Sequence, residues 1–264
     1  MPEQTSVQTS VLLRETPADG VLLLRLNRPE RRNALATPLL RDIADALSRA
    51  EGDEAVRCVV LTGTDRLFAA GADIDELASG SPDDPVDSPR FRAWAAIRAF
   101  PKPLIAAVEG WCLGAGAELM MCADIVVAGD GARIGQPETG LGIIPGAGGT
   151  VTLPRLVGRA RAMKMVLTGQ PLSAAEAQGA GLIADVVEQG RALDAALTLA
   201  GGIAARPPLA LRAAKASIRD VALLDEAAHL RAERERFIAL LGSADKAEGI
   251  AAFREKRPPV WRGR

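Results

Sequence analysis

Two glutamates placed beside glycine-rich turns are the residues of this sequence best suited to chemistry. Glu118 follows Gly114-Ala115-Gly116 in the stretch GWCLGAGAELMMCADIVVAG, where an apolar strand leads into a helix. The first amides of a helix have no partner within it, so they are free to bind an oxygen that becomes negative during a reaction. The alternative is a close-packed glycine turn in which an acidic residue favours the helix start.

The same glycine pattern must be compared with the turn of dinucleotide-binding folds. A G-x-G pair between a strand and a helix is half of that fingerprint. Leu119 stands where the third glycine is required, and Glu118 puts a carboxylate where the pyrophosphate would bind. We therefore exclude a nucleotide-binding turn at this position.

Two further stretches could complete a site around Glu118. In DRLFAAGADIDEL, small residues lead from a strand end to a short helix that begins at Asp73, which exposes an amide near Ala72. Glu138, in GQPETGLG, has mostly apolar or glycine neighbours. A loop glutamate is usually solvated, but one in an apolar pocket has the raised pKa that a general acid needs at neutral pH.

The composition excludes several other classes of function. The 264 residues are 48% hydrophobic and 25% charged, which is typical of a globular protein with a large core. With 32 basic against 33 acidic residues and 3% aromatics, the chain lacks the features of a nucleic-acid-binding protein. One histidine and the scattered Cys58, Cys112 and Cys122 provide no metal-site spacing, so we expect no metal and three buried, reduced thiols.

No segment predicts export or membrane insertion. The first twenty residues lack a basic start and an apolar run, so we expect no secretory signal. No uninterrupted apolar stretch approaches the ~20 residues that cross a bilayer. We therefore predict a cytoplasmic protein that binds no membrane.

An alternation of strands and helices must position the candidate residues. VLLRE and VLLLRL, separated by PADG, predict a hairpin, and a helix follows with Thr37 as its cap and Pro38 at its first position. The runs VRCVVLTG, LIAAV, DIVVA and LIADVV are typical of buried parallel strands with helices between them. Beyond residue 190 the pattern is almost purely helical. We predict an α/β core over 1–190 and a C-terminal helical region over 191–264.

Six segments, in order along nearly the whole chain, resemble the crotonase or enoyl-CoA hydratase/isomerase superfamily. They are NRPERRNAL (27–35), FAAGADIDEL (68–77), GWCLGAGAELMMCADIVVAG (110–129), GQPETGLGIIPGAGGT (135–150), LTGQPLSAAEAQGAGLI (167–183) and FREKRPP (253–259). The resemblance implies a ββα spiral core and a C-terminal helical trimerisation region, which gives homotrimers or hexamers. It also implies an acyl-CoA thioester substrate, with CoA as part of the substrate and no separate cofactor.

The resemblance also assigns roles to residues. The amides of Ala72 and Ala115 would bind the thioester oxygen as an oxyanion hole. The other residues that it places against the substrate are Ala70, Asp73, Ile74, Gly114, Arg31 and Lys256. Relatives often have glycine where this chain has Ala115, and the added Cβ is tolerable if φ is negative there.

Glu118 and Glu138 correspond to the two glutamates of the hydratase subgroup. We therefore expect addition of water across the 2-trans double bond of an enoyl-CoA to give 3-hydroxyacyl-CoA, with Glu118 as base toward water and Glu138 as acid toward Cα. One alternative is a Δ3–Δ2 enoyl-CoA isomerase, which needs one base rather than two carboxyls around a water. Another is a non-catalytic crotonase-like binding protein. An RNA-binding role would need a basic, aromatic-bearing surface that this composition lacks.

Overall fold

The computed structural model describes residues 10–264, so part of the segment in which no secretory signal is expected, residues 1–9, lies outside the described residues. The strands are β1 Leu12–Ala18, β2 Val21–Leu26, β3 Cys58–Thr62, β4 Leu67–Ala69, β5 Leu104–Val108, β6 Trp111–Leu113, β7 Ile125–Gly129, β8 Arg133–Gly135, β9 Leu172–Ser173 and β10 Asp185–Val187. The helices are α1 Thr37–Gly52, α2 Ile74–Ala78, α3 Pro89–Ala99, α4 Ala115–Met120, α5 Gly149–Val157, α6 Arg159–Thr168, α7 Ala174–Gly179, α8 Ala192–Ala204, α9 Pro208–Asp220, α10 Glu226–Leu241 and α11 Ala244–Glu255. Single 3-10 turns cover Pro29–Arg31 and Glu138–Leu141.

A six-stranded sheet with the order β1-β2-β3-β5-β7-β10 forms the centre of the fold. The predicted hairpin is confirmed, because β1 and β2 pair antiparallel, whereas the remaining neighbours pair in parallel. Every residue of β3 and of β5 is buried. Their continuous apolar runs follow from this position, since both faces of the sheet are covered.

A second, four-stranded sheet has the order β4-β6-β8-β9. The chain alternates between the two sheets, because β3, β5 and β7 of the large sheet lead directly to β4, β6 and β8 of the small one. Within each sheet these three strands are parallel neighbours. This repeated winding confirms the predicted spiral core.

Glycine is required where the chain turns from β5 into β6. Gly110 has φ +59°, and a Cβ built on it would lie 1.8 Å from the carbonyl oxygen of Arg66. No side chain fits at that distance, so the turn brings the two coils of the spiral into backbone contact.

Helix α8 covers the second face of the large sheet. Its buried residues are alanines spaced by four along the helix, and they pack on Val21, Leu23 and the inner strands. Residues with this spacing share one face, and their small side chains allow the helix to approach the strands closely. The region predicted over 191–264 therefore shares a core with the spiral through its first helix, while α9 and α10 bury no residue within this chain. The boundary near residue 190 stays a prediction.

The start of α1 differs in detail from the prediction. Ala36 is the N-cap and Thr37 is the first helical residue. The side chain of Glu76 accepts hydrogen bonds from the Thr37 amide at 2.8 and 3.0 Å and from the Thr37 hydroxyl at 2.8 Å. The cap thus comes from α2 rather than from the local sequence, because a carboxylate from elsewhere in the fold reaches the free amides of the helix.

The three cysteines are buried and unbridged, as predicted. Burial raises the pKa of Cys58 to about 12 and that of Cys122 to about 11, and it raises the pKa of Cys112 further. Thiols with such values are not thiolates at neutral pH, which makes them unreactive. Over residues 10–264, every helix is too short or too polar to cross a bilayer.

Candidate active site

One cavity brings together the four residues predicted to carry out the chemistry. Its walls include Ala72 and Ala115, together with Glu118 and Glu138. The other residues that line it are Ala70, Gly71, Ile74, Leu77, Arg90, Phe91, Trp94, Gly114, Pro137, Leu141, Ile143, Ile144, Gly146 and Ala147. Its lining is mostly apolar, with a few convergent polar groups, which is the usual character of a small-molecule site.

The loop between β4 and α2 leaves one amide free. The Ala70 amide donates to the carbonyl of Arg32 at 3.0 Å, and the Gly71 carbonyl accepts from the Leu35 amide at 2.8 Å. In the described part of the chain, the amide of Ala72 has no acceptor. Its neighbours are therefore fixed by backbone bonds while its own N–H is available to a ligand.

Asp73 holds this loop in place. Its carboxylate accepts from the Asp75 amide at 3.2 Å and pairs with the Arg28 guanidinium at 3.1 Å. Burial works in the opposite direction, but the Arg28 hydrogen bond and charge hold the pKa of Asp73 below its ordinary value. The side chain of Asp73 thus binds other groups of the protein. Its predicted contact with substrate stays a prediction.

The turn from β6 into α4 presents the second free amide. Gly114 has φ +52° and ψ −127°, a conformation essentially restricted to glycine, and its amide donates to the Gly135 carbonyl at 2.9 Å. Ala115 is the first residue of α4, and its amide has no acceptor among residues 10–264. Its φ is negative, which meets the condition for accepting a Cβ at this position.

The two loops lie directly against each other. A Cβ built on Gly114 would be 3.7 Å from the Cα of Gly71, the residue that precedes Ala72. Both free amides therefore border the same cavity from adjacent walls. Two fixed N–H donors of this kind can stabilise an oxygen that gains negative charge, which is the physical basis of an oxyanion hole.

Glu118 is 2% exposed, and one of its oxygens is bound by backbone amides. Its Oε1 accepts from Ala147 at 2.8 Å and from Gly149 at 2.7 Å. Burial raises the pKa of Glu118, while these two amides and the charge of Arg98 oppose the increase. Amide donors favour the ionised form, so they limit the increase in pKa that burial causes.

Glu138 is 9% exposed and opens the 3-10 turn that follows β8. Burial raises its pKa to about 7, and the charge of Glu118 adds to the increase. The amide orientation of Gln136 that satisfies both side chains donates to the two Glu138 oxygens at 2.8 and 3.1 Å, which fixes the carboxyl in place. Near neutral pH the group can therefore hold a proton that it is able to deliver.

Arg98 is a further element of the site that the sequence did not reveal. Its guanidinium, on α3, donates to the Ala147 carbonyl and to Thr152 Oγ1 at 3.3 Å. It also fills the space beside Gly148, which has φ +99°. Arg98 thereby stabilises the turn whose amides hold Glu118. The sequence shows the glycine run that forms this turn. It does not show that amides of the turn bind Glu118.

The predicted substrate-contact residues divide into two groups. Ala70, Ile74 and Gly114 line the cavity. Arg31 and Lys256 do not line it. Arg31 is exposed and pairs with Asp75 at 3.1 Å, and Lys256 caps the end of α11 on the surface. Their predicted contacts with CoA phosphates stay predictions.

Comparison with known sequences identifies the family that this chain matches. Residues 16–264 match the family model described as enoyl-CoA hydratase/isomerase. The chain is 48% identical over 244 residues to the 2,3-dehydroadipyl-CoA hydratase of Escherichia coli, which covers 92% of this chain and 96% of that protein. It is 40% identical over 235 residues to the mitochondrial enoyl-CoA hydratase of Pongo abelii, with 89% and 81% covered.

Solved structures show the same fold. An enoyl-CoA hydratase subunit from Geobacillus kaustophilus superposes with a TM-score of 0.92 at 38% identity, covering 97% of this chain and 99% of that one. The enoyl-CoA hydratase of Bacillus anthracis gives 0.91 at 34% identity, with 97% and 100% covered. The chain belongs to the enoyl-CoA hydratase/isomerase family and has the crotonase fold.

Proposed function

We propose that the protein is an enoyl-CoA hydratase, which adds water across the 2-trans double bond of an enoyl-CoA thioester to give 3-hydroxyacyl-CoA. The observation that carries this proposal is a single cavity lined by two buried glutamates and by two amides that have no acceptor within residues 10–264. The family and the names of its members, hydratases among them, support an acyl-CoA substrate. The CoA group belongs to that substrate, and the reaction calls for no separate cofactor.

The amides would supply electrophilic activation. With the thioester oxygen between Ala72 and Ala115, both N–H groups donate to an oxygen that becomes more negative as water adds to Cβ. Loss of one such donor costs about 2.7–4 kcal/mol in comparable oxyanion holes. The donors are backbone groups held by β-strand and helix contacts, so they need little reorganisation during the reaction.

The two glutamates would transfer the protons. The water oxygen bonds to Cβ while its proton passes to Glu118, whose carboxylate form the Ala147 and Gly149 amides favour. Glu138 gives its proton to Cα, which its raised pKa makes feasible near pH 7. The carbon–carbon double bond is consumed and one water is added. Glu118 ends protonated and Glu138 ionised, and transfer of one proton from Glu118 to Glu138 through solvent restores the starting forms. Because the two carboxyls interact, their titration belongs to the pair.

Glu138→Gln is the experiment that tests this proposal. We expect the rate of hydration of a four-carbon 2-enoyl-CoA to fall by a factor of about 10² to 10⁴ while the fold is unchanged. The rate is measured from the loss of the substrate's absorbance. Glu188→Gln, a change of the same type at an exposed position, serves as the matched control. Near-normal hydration by Glu138→Gln would refute the assigned role.

Isomerisation is the outcome that the same assay must separate from hydration. Two carboxyls beside one cavity fit a reaction that both removes a proton from water and delivers one to carbon. A 3-enoyl-CoA is therefore assayed beside the 2-enoyl-CoA. Faster conversion of the 3-enoyl thioester, with no water added, would assign an isomerase instead.

A second part of the proposal concerns assembly. We infer that the protein forms homotrimers or hexamers through its C-terminal helices. Large apolar side chains are exposed there, including Ile218, Phe237 and Ile238, and they would be buried if these helices packed against another copy. A cytoplasmic location also stays a prediction.

A further inference from the structure

The cavity contains a cation that the proposed hydration does not use. Arg90, on α3, is the one basic residue that lines the cavity among residues 10–264. Apart from Arg90, Glu118 and Glu138, the lining is apolar or glycine, and its large apolar members include Leu77, Phe91, Leu141, Ile143 and Ile144. A charged group in such a wall requires either a partner within the protein or one on the ligand.

The protein holds Arg90 at one nitrogen only. Nη1 donates to the Leu35 carbonyl and to Glu76 Oε2, both at 3.1 Å, and the side chain is 20% exposed. Glu76 is shared with Thr37, from which it accepts three further hydrogen bonds. In the described structure the Nε and Nη2 hydrogens have no acceptor. The guanidinium is thus fixed in place with donors to spare, which suits it to bind an oxyanion.

A second unsatisfied donor lies on the same face of α3. Trp94 is four residues beyond Arg90 and lines the same cavity, so the two side chains are neighbours on the helix. Its indole N–H is buried and has no acceptor among the described residues. Buried donors are normally paired, and an acceptor carried by the substrate would provide the missing partner.

The charges of the cavity explain why a substrate with an acid group on its acyl chain would need a cation. Glu118 and Glu138 line the catalytic part, and a carboxylate on the acyl chain would be repelled by an ionised glutamate. Arg90 lines the same cavity, so its charge can offset that of an acid group on an acyl tail bound there.

We propose that Arg90, with the indole N–H of Trp94 beside it, binds a carboxylate at the distal end of the acyl chain. The preferred substrates are then short 2-enoyl thioesters of dicarboxylic acids rather than simple fatty acyl thioesters. This inference rests on the proposed hydratase activity for its kinetic test. Its binding test does not depend on turnover.

The kinetic test compares two six-carbon 2-enoyl-CoA thioesters, one with a terminal carboxylate and one with a terminal methyl group. Arg90→Leu is expected to lower kcat/KM for the carboxylate substrate by about 10- to 100-fold, mainly through KM, because the contact exists before and during the reaction. The methyl-terminated substrate should lose less, and the ratio of the two kcat/KM values is the readout, because any effect of the lost Arg90 charge on Glu118 acts on both substrates alike. Arg90→Lys should retain part of the preference, since it keeps the charge but loses the forked geometry.

Arg92→Leu is the matched control, because Arg92 lies on the same helix with its side chain exposed and outside the cavity. It should leave both substrates unaffected. An equal loss for both substrates in Arg90→Leu would overturn the inference. It would indicate that Arg90 only holds Glu76 in position. A wild-type preference for the methyl-terminated substrate would overturn it as well.

The binding test uses the saturated six-carbon CoA thioesters, which cannot be hydrated. Calorimetry should show that wild-type protein binds the carboxylate-terminated thioester more tightly than the methyl-terminated one, and that Arg90→Leu abolishes the difference. If neither unsaturated thioester is hydrated while this preference is present, the hydratase proposal fails and the carboxylate subsite stands. Equal affinities in the wild-type protein would refute the subsite.

Discussion

At the scale of single residues, the site depends on the different environments of two glutamates. Glu118 is buried but has two backbone amides on one oxygen, whereas the pKa of Glu138 is raised to about 7 by burial and by its charged neighbour. Two carboxyls whose environments separate their protonation can serve as base and acid at one pH. The sequence indicated both residues, but only the fold shows which of them is bound by amides.

The raised pKa of Glu138 predicts a pH-dependent stability. Below pH 4.5 the Glu138 carboxyl is protonated in both the folded and the unfolded chain. As the pH rises from there to about 7, Glu138 ionises in the unfolded chain before it ionises in the folded one. The folded state therefore loses stability over this range of pH. Glu138→Gln removes this loss. The free energy of unfolding of the variant minus that of the wild type is the quantity to compare. We expect this difference to be about 1–3 kcal/mol larger at pH 8 than at pH 5.

Denaturant titrations of both proteins, at one protein concentration and at the two pH values, measure this difference. The protein concentration must be fixed because any assembly of the chains would itself contribute to stability. A difference between variant and wild type that is the same at pH 5 and pH 8 would contradict a raised pKa at Glu138.

At the scale of elements, the fold positions the site through turns that join strand ends to helix starts. The strands and the main helices could be predicted, because their apolar patterns reflect which faces are buried. The contacts of Arg98 with Ala147, of Glu76 with Thr37 and of Gln136 with Glu138 could not. The first two join residues about 40 or more positions apart and depend on how the spiral brings its loops together. The third joins residues two positions apart and depends on the conformation of a single loop.

The turn at Gly114 provides the test at this scale. In Gly114→Ala the new Cβ would lie 3.2 Å from Glu138 Oε1, at backbone angles that other residues rarely adopt. We expect a loss of about 1–3 kcal/mol in the free energy of unfolding. Hydration should fall at least tenfold, because both an amide donor and Glu138 move. Thermal melting and kcat measure the two effects.

Gly140→Ala is a suitable comparison for that experiment. Gly140 lies in the 3-10 turn that contains Glu138. Its φ is not positive, and a Cβ built on it meets no atom within 4 Å. It should retain both stability and activity. If Gly114→Ala behaves like Gly140→Ala, the turn does not require glycine.

At the scale of the whole molecule, the C-terminal helices present more apolar surface than one chain can cover. Phe237 is 61% exposed and Ile238 is 64% exposed, and both lie on α10, which buries no residue within this chain. The resemblance predicted this region as an interface, and the exposed side chains show where such an interface would form. Because an interface between copies would pair residues of different chains, no residue pairs could be predicted for it from a single sequence.

Sedimentation of the purified protein should give a mass of three or six chains. Ile238→Asp places a charge in the proposed interface, where desolvating it is costly, and should shift the protein to smaller species. Glu235→Ala, an exposed polar change on the same helix, should leave the mass unchanged. A wild-type protein that sediments as one chain would refute the assembly proposal.

The two amide bonds to Glu118 also bear on the handedness of the product. Both go to Oε1, so Oε2 is the oxygen left to receive a proton from water. A nucleophile that must approach through that one atom reaches a flat alkene from one side alone. Under the proposed reaction, the new stereocentre at C3 would then form as a single enantiomer, set by the face of the alkene that the free oxygen of Glu118 borders.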